Sequence, residues 1–522
     1  MAPEWNAGYT TEIDYTYGYY RELCPALLRF ALLVQGYALP EPSSDFSYLE
    51  LGMGQGVTSA IHSVANAGEF WGTDFNPRHA AHAASLVDDT GANTVFLDDS
   101  FEELATRLAA MPSPPRFDMI VLHGIWSWIS PENRDFIRQI IRENLKPNGV
   151  AYVSYNCLPG WGAALPLRNL LKAHGDYMSA PDTGLIAKVD AALAFANRLV
   201  EAKTGYFEQN PAIKKRLERV SSQNKSYVGH EYFNEHFYPM TVAEAVEMLQ
   251  EAKLEFAASA NVLDSVDAIN LSAEAQKIMS EVNNPVMRET LRDYFMNQQF
   301  RRDIYVRGAR RVSGPQRMKM MGDMRFVLTT NAKDVPMKVK GGMGEANLQE
   351  AIYRPIVEKF AEAGAKSLSV RDLLDDERLK GNASGALMQA VTILVGAGHI
   401  HPAKGTRQIE AAAQACDHFN RAVIERSKLE NTVTTLASPV TGGGVSVGRF
   451  EQLFLGSVRA GKSDPRKWVE RAWAILSKQG QRLVKDGKAL EGADENLAQL
   501  TEQANTFAEK RLPILKNLRI AS

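Results

Sequence analysis

Between residues 46 and 155 the chain alternates short apolar runs with helical stretches, and this periodicity constrains the fold more than any other feature. The runs at 46–51, 69–74, 94–97, 117–122 and 150–155 read as strands, with helix-type patterns between them, as at 57–67 and 131–145. Strands separated by helices pair through crossovers rather than hairpins. The expected core is therefore α/β, a doubly wound parallel sheet covered on both faces. An apolar helix at 25–37, ended by Pro40 and Pro42, precedes it. Ahead of that helix stand Tyr15, Tyr17, Tyr19 and Tyr20. They either close over a ligand at the strand ends or pack against the core.

Further along, 163–226 is helical and charge-rich with no strand pattern. It reads as an inserted region, a lid, a dimer surface or both. Sheet logic returns with a helix at 241–253, a sixth strand at 254–260, a helix at 273–295 and a seventh strand at 300–307. The core is thus expected to be discontinuous. Residues 311–345 are loop-rich and basic, and 346–405 run helix, short strand (367–370), two helices and a strand near 399–401. That order suits a winged-helix-like module. From about 410 the pattern is helical to the end, broken by the turn-rich 438–444. The expected divisions are 1–162, 163–229, 230–310, 311–409 and 410–522.

The first strand ends in Glu50-Leu51-Gly52-Met53-Gly54-Gln55-Gly56, and a helix follows at once. Glycines there let the backbone turn sharply beside a ligand, and the helix start offers unpaired N–H groups. A dinucleotide fingerprint needs glycine at position 57, which is Val57. The spacing at Gly52, Gly54 and Gly56 resembles instead the loop of methyltransferases that bind S-adenosylmethionine (SAM). Glu50 suits that cofactor's cationic ammonium and sulfonium better than a pyrophosphate. Asp74, in Gly72-Thr73-Asp74-Phe75-Asn76, ends the second strand where a carboxylate meets ribose hydroxyls; capping the next helix is its other reading. Asp98-Asp99-Ser100-Phe101 follows the third strand, where methyltransferases hold the adenine amino group with a carboxylate. Lys146-Pro147-Asn148-Gly149 turns into the fifth strand.

These segments, with His123-Gly124-Ile125-Trp126-Ser127-Trp128, Tyr155-Asn156-Cys157-Leu158-Pro159-Gly160-Trp161, and Tyr227-Val228-Gly229-His230-Glu231-Tyr232-Phe233-Asn234, resemble class I methyltransferases that carry a methyltransferase regulatory domain. Asp293-Tyr294-Phe295, Leu436-Ala437-Ser438-Pro439 and Arg511-Leu512-Pro513 are similar to the long members, among them rickettsial outer-membrane-protein lysine methyltransferases. The resemblance implies SAM as methyl donor, S-adenosylhomocysteine (AdoHcy) as product, an inserted dimerisation region, and middle and C-terminal domains; His230-Glu231 are adjacent and nothing else has metal-ligand spacing, so no metal is expected. The cofactor set it implies is Glu50, Gly52, Gly54, Gly56, Asp74, Phe75, Asn76, Asp99, Ser100, Phe101 and His123.

The acceptor belongs beyond the fourth and fifth strands. Trp126, Trp128 and Trp161 sit at those strand ends. Their rings either hold a cation by their faces or pack core against insertion. Tyr155 and Asn156 are the polar candidates for orienting a nucleophile, so the expected catalytic set is Tyr155, Asn156, Trp126 and Trp128. His123 is either a base or a cofactor contact. A protein acceptor, with lysine nitrogen the expected atom, stands against a small molecule, a glycan or a peptide natural product, and against a non-catalytic SAM-binding regulator.

A net charge of −2 gives no bulk attraction to nucleic acid, and the helix at 384–397 carries no Lys or Arg to meet phosphates. Arg301, Arg302, Arg307, Arg310, Arg311, Arg317 and Lys319 form a basic run against one acid, Asp303. It reads either as an anion-docking patch or as a face paired with distant acids. The apolar stretch 26–39 is broken by Arg29, Gln35 and Gly36, so no membrane span is expected. The first twenty residues carry acids and no Lys or Arg, unlike a targeting segment. Three distant cysteines, Cys24, Cys157 and Cys416, form no CxxC, which leaves a reducing cytoplasm as the expected compartment.

Overall fold

The computed structural model describes residues 17–521 except 181 and 486. Tyr15 lies outside them. Helix α1 (Pro25–Val34) leads to β1 (Ser47–Leu51), α2 (Val57–Ala65), β2 (Glu69–Thr73), α3 (Pro77–Val87), β3 (Thr94–Leu97), α4 (Phe101–Ala110), β4 (Phe117–Leu122), α5 (Pro131–Asn144) and β5 (Leu145–Asn156). The insertion comprises α6 (Leu165–Met178), α7 (Leu185–Glu201), α8 (Gly205–Gln209), α9 (Pro211–Ser222) and α10 (Lys225–Tyr232). The core then resumes with α11 (Val242–Gln250), β6 (Glu255–Ser259), α12 (Asp267–Asn270), α13 (Ala273–Glu281), α14 (Pro285–Met296) and β7 (Phe300–Val306).

These strands make one seven-stranded sheet in the order β3-β2-β1-β4-β5-β7-β6. β7 alone runs against its neighbours, pairing Tyr155 with Arg301. The central strands are continuously apolar because helices cover both faces. Leu49, Leu51, Ile120 and Val153 pack beneath α4, α5 and α11, while Tyr48, Val121 and Tyr152 face α1 and α2.

Two local expectations change. The stretch 273–295 is two helices, because Pro285 opens α14 and Asn284 caps it by accepting from the Met287 N–H. The turn at 145–149 belongs to β5 itself: Leu145 pairs with Phe117, the register then shifts, and Asn148 takes φ +62°.

The insertion has its own apolar centre, with Trp161, Leu171, Leu193 and Phe207. The remainder does not separate so cleanly. α15 (Gly314–Asp323), β8 (Arg325–Leu328), the hairpin β9 (Lys338–Gly341) and β10 (Gly344–Asn347), α16 (Glu350–Ala363), β11 (Leu368–Ser369), α17 (Val370–Leu374), α18 (Ser384–Gly396) and β12 (Ile400–Pro402) follow. Their sheet is antiparallel, β11-β8-β12, centred on a strand that the sequence pattern hid in a basic loop. α18 is mostly core, with Leu387, Val391, Leu394 and Val395 buried.

The C-terminal region contains α19 (Thr406–Arg426), the hairpin β13 (Thr435–Ser438) and β14 (Gly443–Ser446), α20 (Arg449–Arg459), α21 (Pro465–Lys478), α22 (Ala493–Thr506) and α23 (Leu512–Asn517). Its α19 and its hairpin lie against α2. One apolar core thus runs from α1 and α2 through the middle region to Leu515. Among the described residues no helix is long and apolar enough to cross a membrane.

Candidate active site

The strand order reverses between β1 and β4, which opens a crevice at their carboxyl ends. The glycine loop sits there. The Gly52 and Met53 N–H groups both donate to the Thr73 carbonyl, at 2.9 and 3.0 Å, and tie the loop to β2. Gly56 caps α2 at φ +71°, and a Cβ on it would come 2.2 Å from that of Ala83. Gly52, at φ +70°, has Ile125 Cδ1 at 2.5 Å from where its Cβ would be. Only glycine satisfies both the backbone and the space.

Two carboxylates back the loop. Glu50 is buried at the end of β1, and the Ser59 hydroxyl donates to it. Burial pushes its carboxyl up to about 8, opposed by that hydroxyl and reinforced by the charge of Asp74. Asp74 Oδ2 accepts from the Gly54 N–H at 2.9 Å; its Oδ1 accepts from the Asn76 N–H at 3.1 Å and lies 2.9 Å from His79 Nδ1. The cap of α3 is Asn76, which accepts from the Arg78 N–H. Asp74 is therefore not the cap, and its Oδ1 already has two partners. A grip on both ribose hydroxyls is thereby reduced to what Oδ2 has left.

At the end of β3, Asp99 is buried and held bidentately by Arg107, at 2.5 and 2.8 Å, while Asp98 is the exposed acid. The carboxylate expected at an adenine amino group is thus already engaged. Ser100 caps α4 in a reciprocal box with Glu103, and the Phe101 ring lies beside Gly52. Phe75 is half-buried after β2.

The N-terminal tyrosines cross the same edge. The Tyr20 N–H donates to Thr58 Oγ1 in the first turn of α2, and its ring stacks on His123 with centroids 4.1 Å apart. Tyr19 reaches His62 Nε2 at 3.2 Å, and Tyr17 meets the His82 ring edge-on. His123 Nδ1 lies 2.8 Å from the Tyr152 hydroxyl. Burial pushes His123 down to about 4, so near neutral pH it is an uncharged ring in a stack.

The acceptor side departs further from expectation. Trp126 is fully buried in the core under β4, and its Nε1 finds no acceptor among the described residues. Tyr155 is buried too, and its hydroxyl donates to Asp303 Oδ2 at 2.7 Å. Both belong to the core cluster beneath α4, α5 and α11, Tyr155 from the end of β5 and Trp126 from the turn after β4. Trp128 is half-buried against Phe237, with centroids 4.6 Å apart. Asn156 takes a hydrogen bond from Trp161 Nε1 at 2.9 Å, and its own N–H donates to Ser127 Oγ. The ring faces here are not vacant. Arg216 lies over Trp161 at 4.3 Å, Arg168 over Phe237 at 5.2 Å and Arg134 over Tyr238 at 4.7 Å.

The first three cations of the basic run are committed within the fold, while Arg310, Arg311, Arg317 and Lys319 are exposed. Arg301 is buried among Asp303, Asp293 and Glu289, with N–O distances of 2.9, 2.5 and 2.8 Å. Arg302 pairs with Glu22, and Arg307 donates to the Arg142 and Leu145 carbonyls. Sequence reasoning missed the residues that immobilise the site: Ser59, His79, Arg107, Tyr152 and the Arg301 cluster. His79 had a legible signal, since the first turn of α3 must face back toward Asp74. The Arg301 cluster joins α14 to the start of β7 over fifteen residues, and only its link to Tyr155 depends on the register of β5 against β7.

Similarity to known proteins agrees with this geometry. A family model described as "Predicted methyltransferase regulatory domain" matches residues 224–307. The uncharacterized protein sll1526 of Synechocystis is 40% identical over 519 residues, 99% of this chain and 100% of that protein. This chain belongs to its family. The uncharacterized protein RP789 of Rickettsia prowazekii is 27% identical over 51% of this chain and 46% of its own length. Among solved structures, PKMT2 from Rickettsia typhi in complex with AdoHcy superposes with a TM-score of 0.64 at 17% identity, covering 96% of this chain and 98% of that one. This chain thus has the Rossmann-like methyltransferase fold, and the stretch matched as a regulatory domain supplies β6 and β7 to its sheet.

Proposed function

We propose that this chain is a SAM-dependent methyltransferase whose acceptor is a protein side-chain nitrogen, that of lysine. The observation that carries the donor assignment is the pairing of a glycine loop, closed to any side chain at 52 and 56, with the buried Glu50 carboxylate. Among the described residues no cation pairs with Glu50, so a cationic ligand is the natural complement. The AdoHcy complex of the rickettsial PKMT2, similar along nearly the whole chain, supports the same reading.

Bound there, SAM would supply an electrophilic methyl carbon on a sulfonium, which an acceptor nitrogen takes in line while the sulfur keeps the bonding pair. The protein's part is to hold that line and to keep the nitrogen's lone pair free. The loop, Asp74 and the end of β3 hold the donor side. On the acceptor side Arg134, Arg168 and Arg216 surround the aromatic cluster of Trp128, Trp161, Phe237 and Tyr238. Three guanidiniums there disfavour another cation and lower the pKa of an entering amine, which then loses its proton to solvent before attack. Trp128 and Asn156 remain the acceptor-side candidates. The exposed Tyr177, Met178, Ile186 and Tyr227 of α6, α7 and α10 support a homodimer through the insertion.

The test begins with calorimetry of AdoHcy binding in two buffers of different ionisation enthalpy. Proton release below pH 8 that vanishes in Glu50→Gln is the expected result, and absence of binding sinks the donor assignment. Tritiated SAM incubated with size-fractionated lysate then addresses the acceptor. Label in protein, recovered as methyl-lysine on hydrolysis, is expected. Label confined to small molecules removes the protein acceptor and leaves the donor standing.

A further inference from the structure

A second cavity, of about 370 Å³, lies away from the crevice at the seam of three regions. Its walls come from α1, the connection after it, the residue following α2, the end of α15, the start of β8 and the segment joining β12 to α19. That volume is in the range of small-molecule sites, roughly 300–1,000 Å³. Leu33, Leu39, Met320, Met324 and Ala403 give it an apolar lining.

Two cations face it with little to neutralise them. Arg29 has only 15% of its side chain exposed, yet its Nε has no hydrogen-bond partner among the described residues. Its other contacts are long: 3.4 Å to the Leu39 carbonyl and 3.7 Å to the exposed Glu41. Lys404 donates to the Ala65 carbonyl and pairs with no carboxylate among the described residues. Burial pushes its ammonium down to about 8, a mark of a charge short of partners. Glu41, more than half exposed, is the lining carboxylate nearest them, while Asp323 pairs with Arg371 and Arg325 with Ser367 and Asp372.

We propose that this cavity is a ligand site for a small carboxylate-bearing amphiphile, with the carboxylate between Arg29 and Lys404 and the apolar body along Leu33, Leu39 and Met324. A carboxylate accepts a fork of N–H groups from a guanidinium and a further one from an ammonium, which supplies what these two side chains lack. The apolar body replaces water against methyl and thioether groups. The assignment stands apart from the methyl-donor reading, because none of these residues lines the crevice.

Titration calorimetry of the full chain with octanoate tests it, with octylammonium and octyl glucoside as probes of the same tail and different heads. One equivalent of octanoate is expected to bind and to raise the Tm, as any ligand of the native state does. Binding should weaken at least tenfold in Arg29→Gln and in Lys404→Gln, and should persist when AdoHcy is saturating. If either variant fails to fold, Ala38→Trp fills the cavity and leaves both cations in place, and it should abolish binding. Equal binding of octylammonium or octyl glucoside overturns the proposal. So does unchanged octanoate affinity in the substituted proteins, or competition by AdoHcy.

Discussion

The two halves of the sheet's carboxyl edge are held by different means. At the ends of β1, β2 and β3 the backbone itself is the device: glycines in left-handed conformations, N–H groups donated to the Thr73 carbonyl, and acids clamped from the helix that follows each. At the ends of β4, β5 and β7 side chains from remote segments do the holding, through arginines over rings and the buried Arg301 cluster. The first arrangement is local in sequence and tolerates no added atom. The second joins α14 and β7 to segments as far off as Tyr155 on β5, and rests on charge. The difference teaches why a methyl donor is easier to assign than its acceptor.

Replacing Arg301 with Met strikes the remote half hardest. It leaves Asp303 and Asp293 buried without their cation and Glu289 with Arg292 alone, at a cost of about 3–5 kcal/mol of stability. Urea unfolding measures it, while the AdoHcy affinity of the folded fraction should stay near wild type. A parallel loss of that affinity would break the separation of the two halves. Gly56→Ala strikes the local half. Left-handed strain plus the Ala83 contact should cost about 2–4 kcal/mol and abolish AdoHcy binding together. Thermal melts and calorimetry on the same sample check the pair of effects.

Asp74→Asn weakens charge-assisted bonds to Gly54 and Asn76, about 1.5–3 kcal/mol in AdoHcy affinity, with a smaller change in melting. A change in melting alone would recast Asp74 as purely structural. A pH series sharpens the remote half. Burial pushes Asp293 up to about 7, with Arg301 pulling the other way. The folded protein then binds a proton that the unfolded chain has released, so stability falls as pH rises from about 4 to 7 and levels off above. Urea midpoints should show that slope flattened in Asp293→Asn. The smallest effect belongs to Tyr20→Leu, which removes the ring on His123 at about 0.5–1.5 kcal/mol.

Legibility in the sequence follows the same division. The alternation of strands and helices, the return of β6 and β7 after an insertion, and the position of the glycine loop are all written in periodicity and spacing, because they depend on neighbours a few residues apart. The partners of Asp99 and Asp74 were not read, although Arg107 and His79 lie only eight and five residues on. Trp126 and Tyr155 were read as acceptor-side residues because they sit at strand ends; which face a strand-end residue takes depends on pleat and register. Pro285 divided what periodicity alone joined. β8 escaped notice because four residues in a basic stretch carry no alternation long enough to distinguish them from loop.

The hairpin of β13 and β14 has a consequence in time as well as in space. Every residue of α2 is buried, and part of what buries it is made more than three hundred residues later. Synthesis at about 5–20 residues per second separates the two events by on the order of half a minute. During that interval the helix that carries the glycine loop stands with an apolar flank in water, and Asn66 still lacks the Gly442 carbonyl it will later hold at 2.8 Å. A ribosome-bound chain therefore acquires its loop early and the full cover of the helix behind it late.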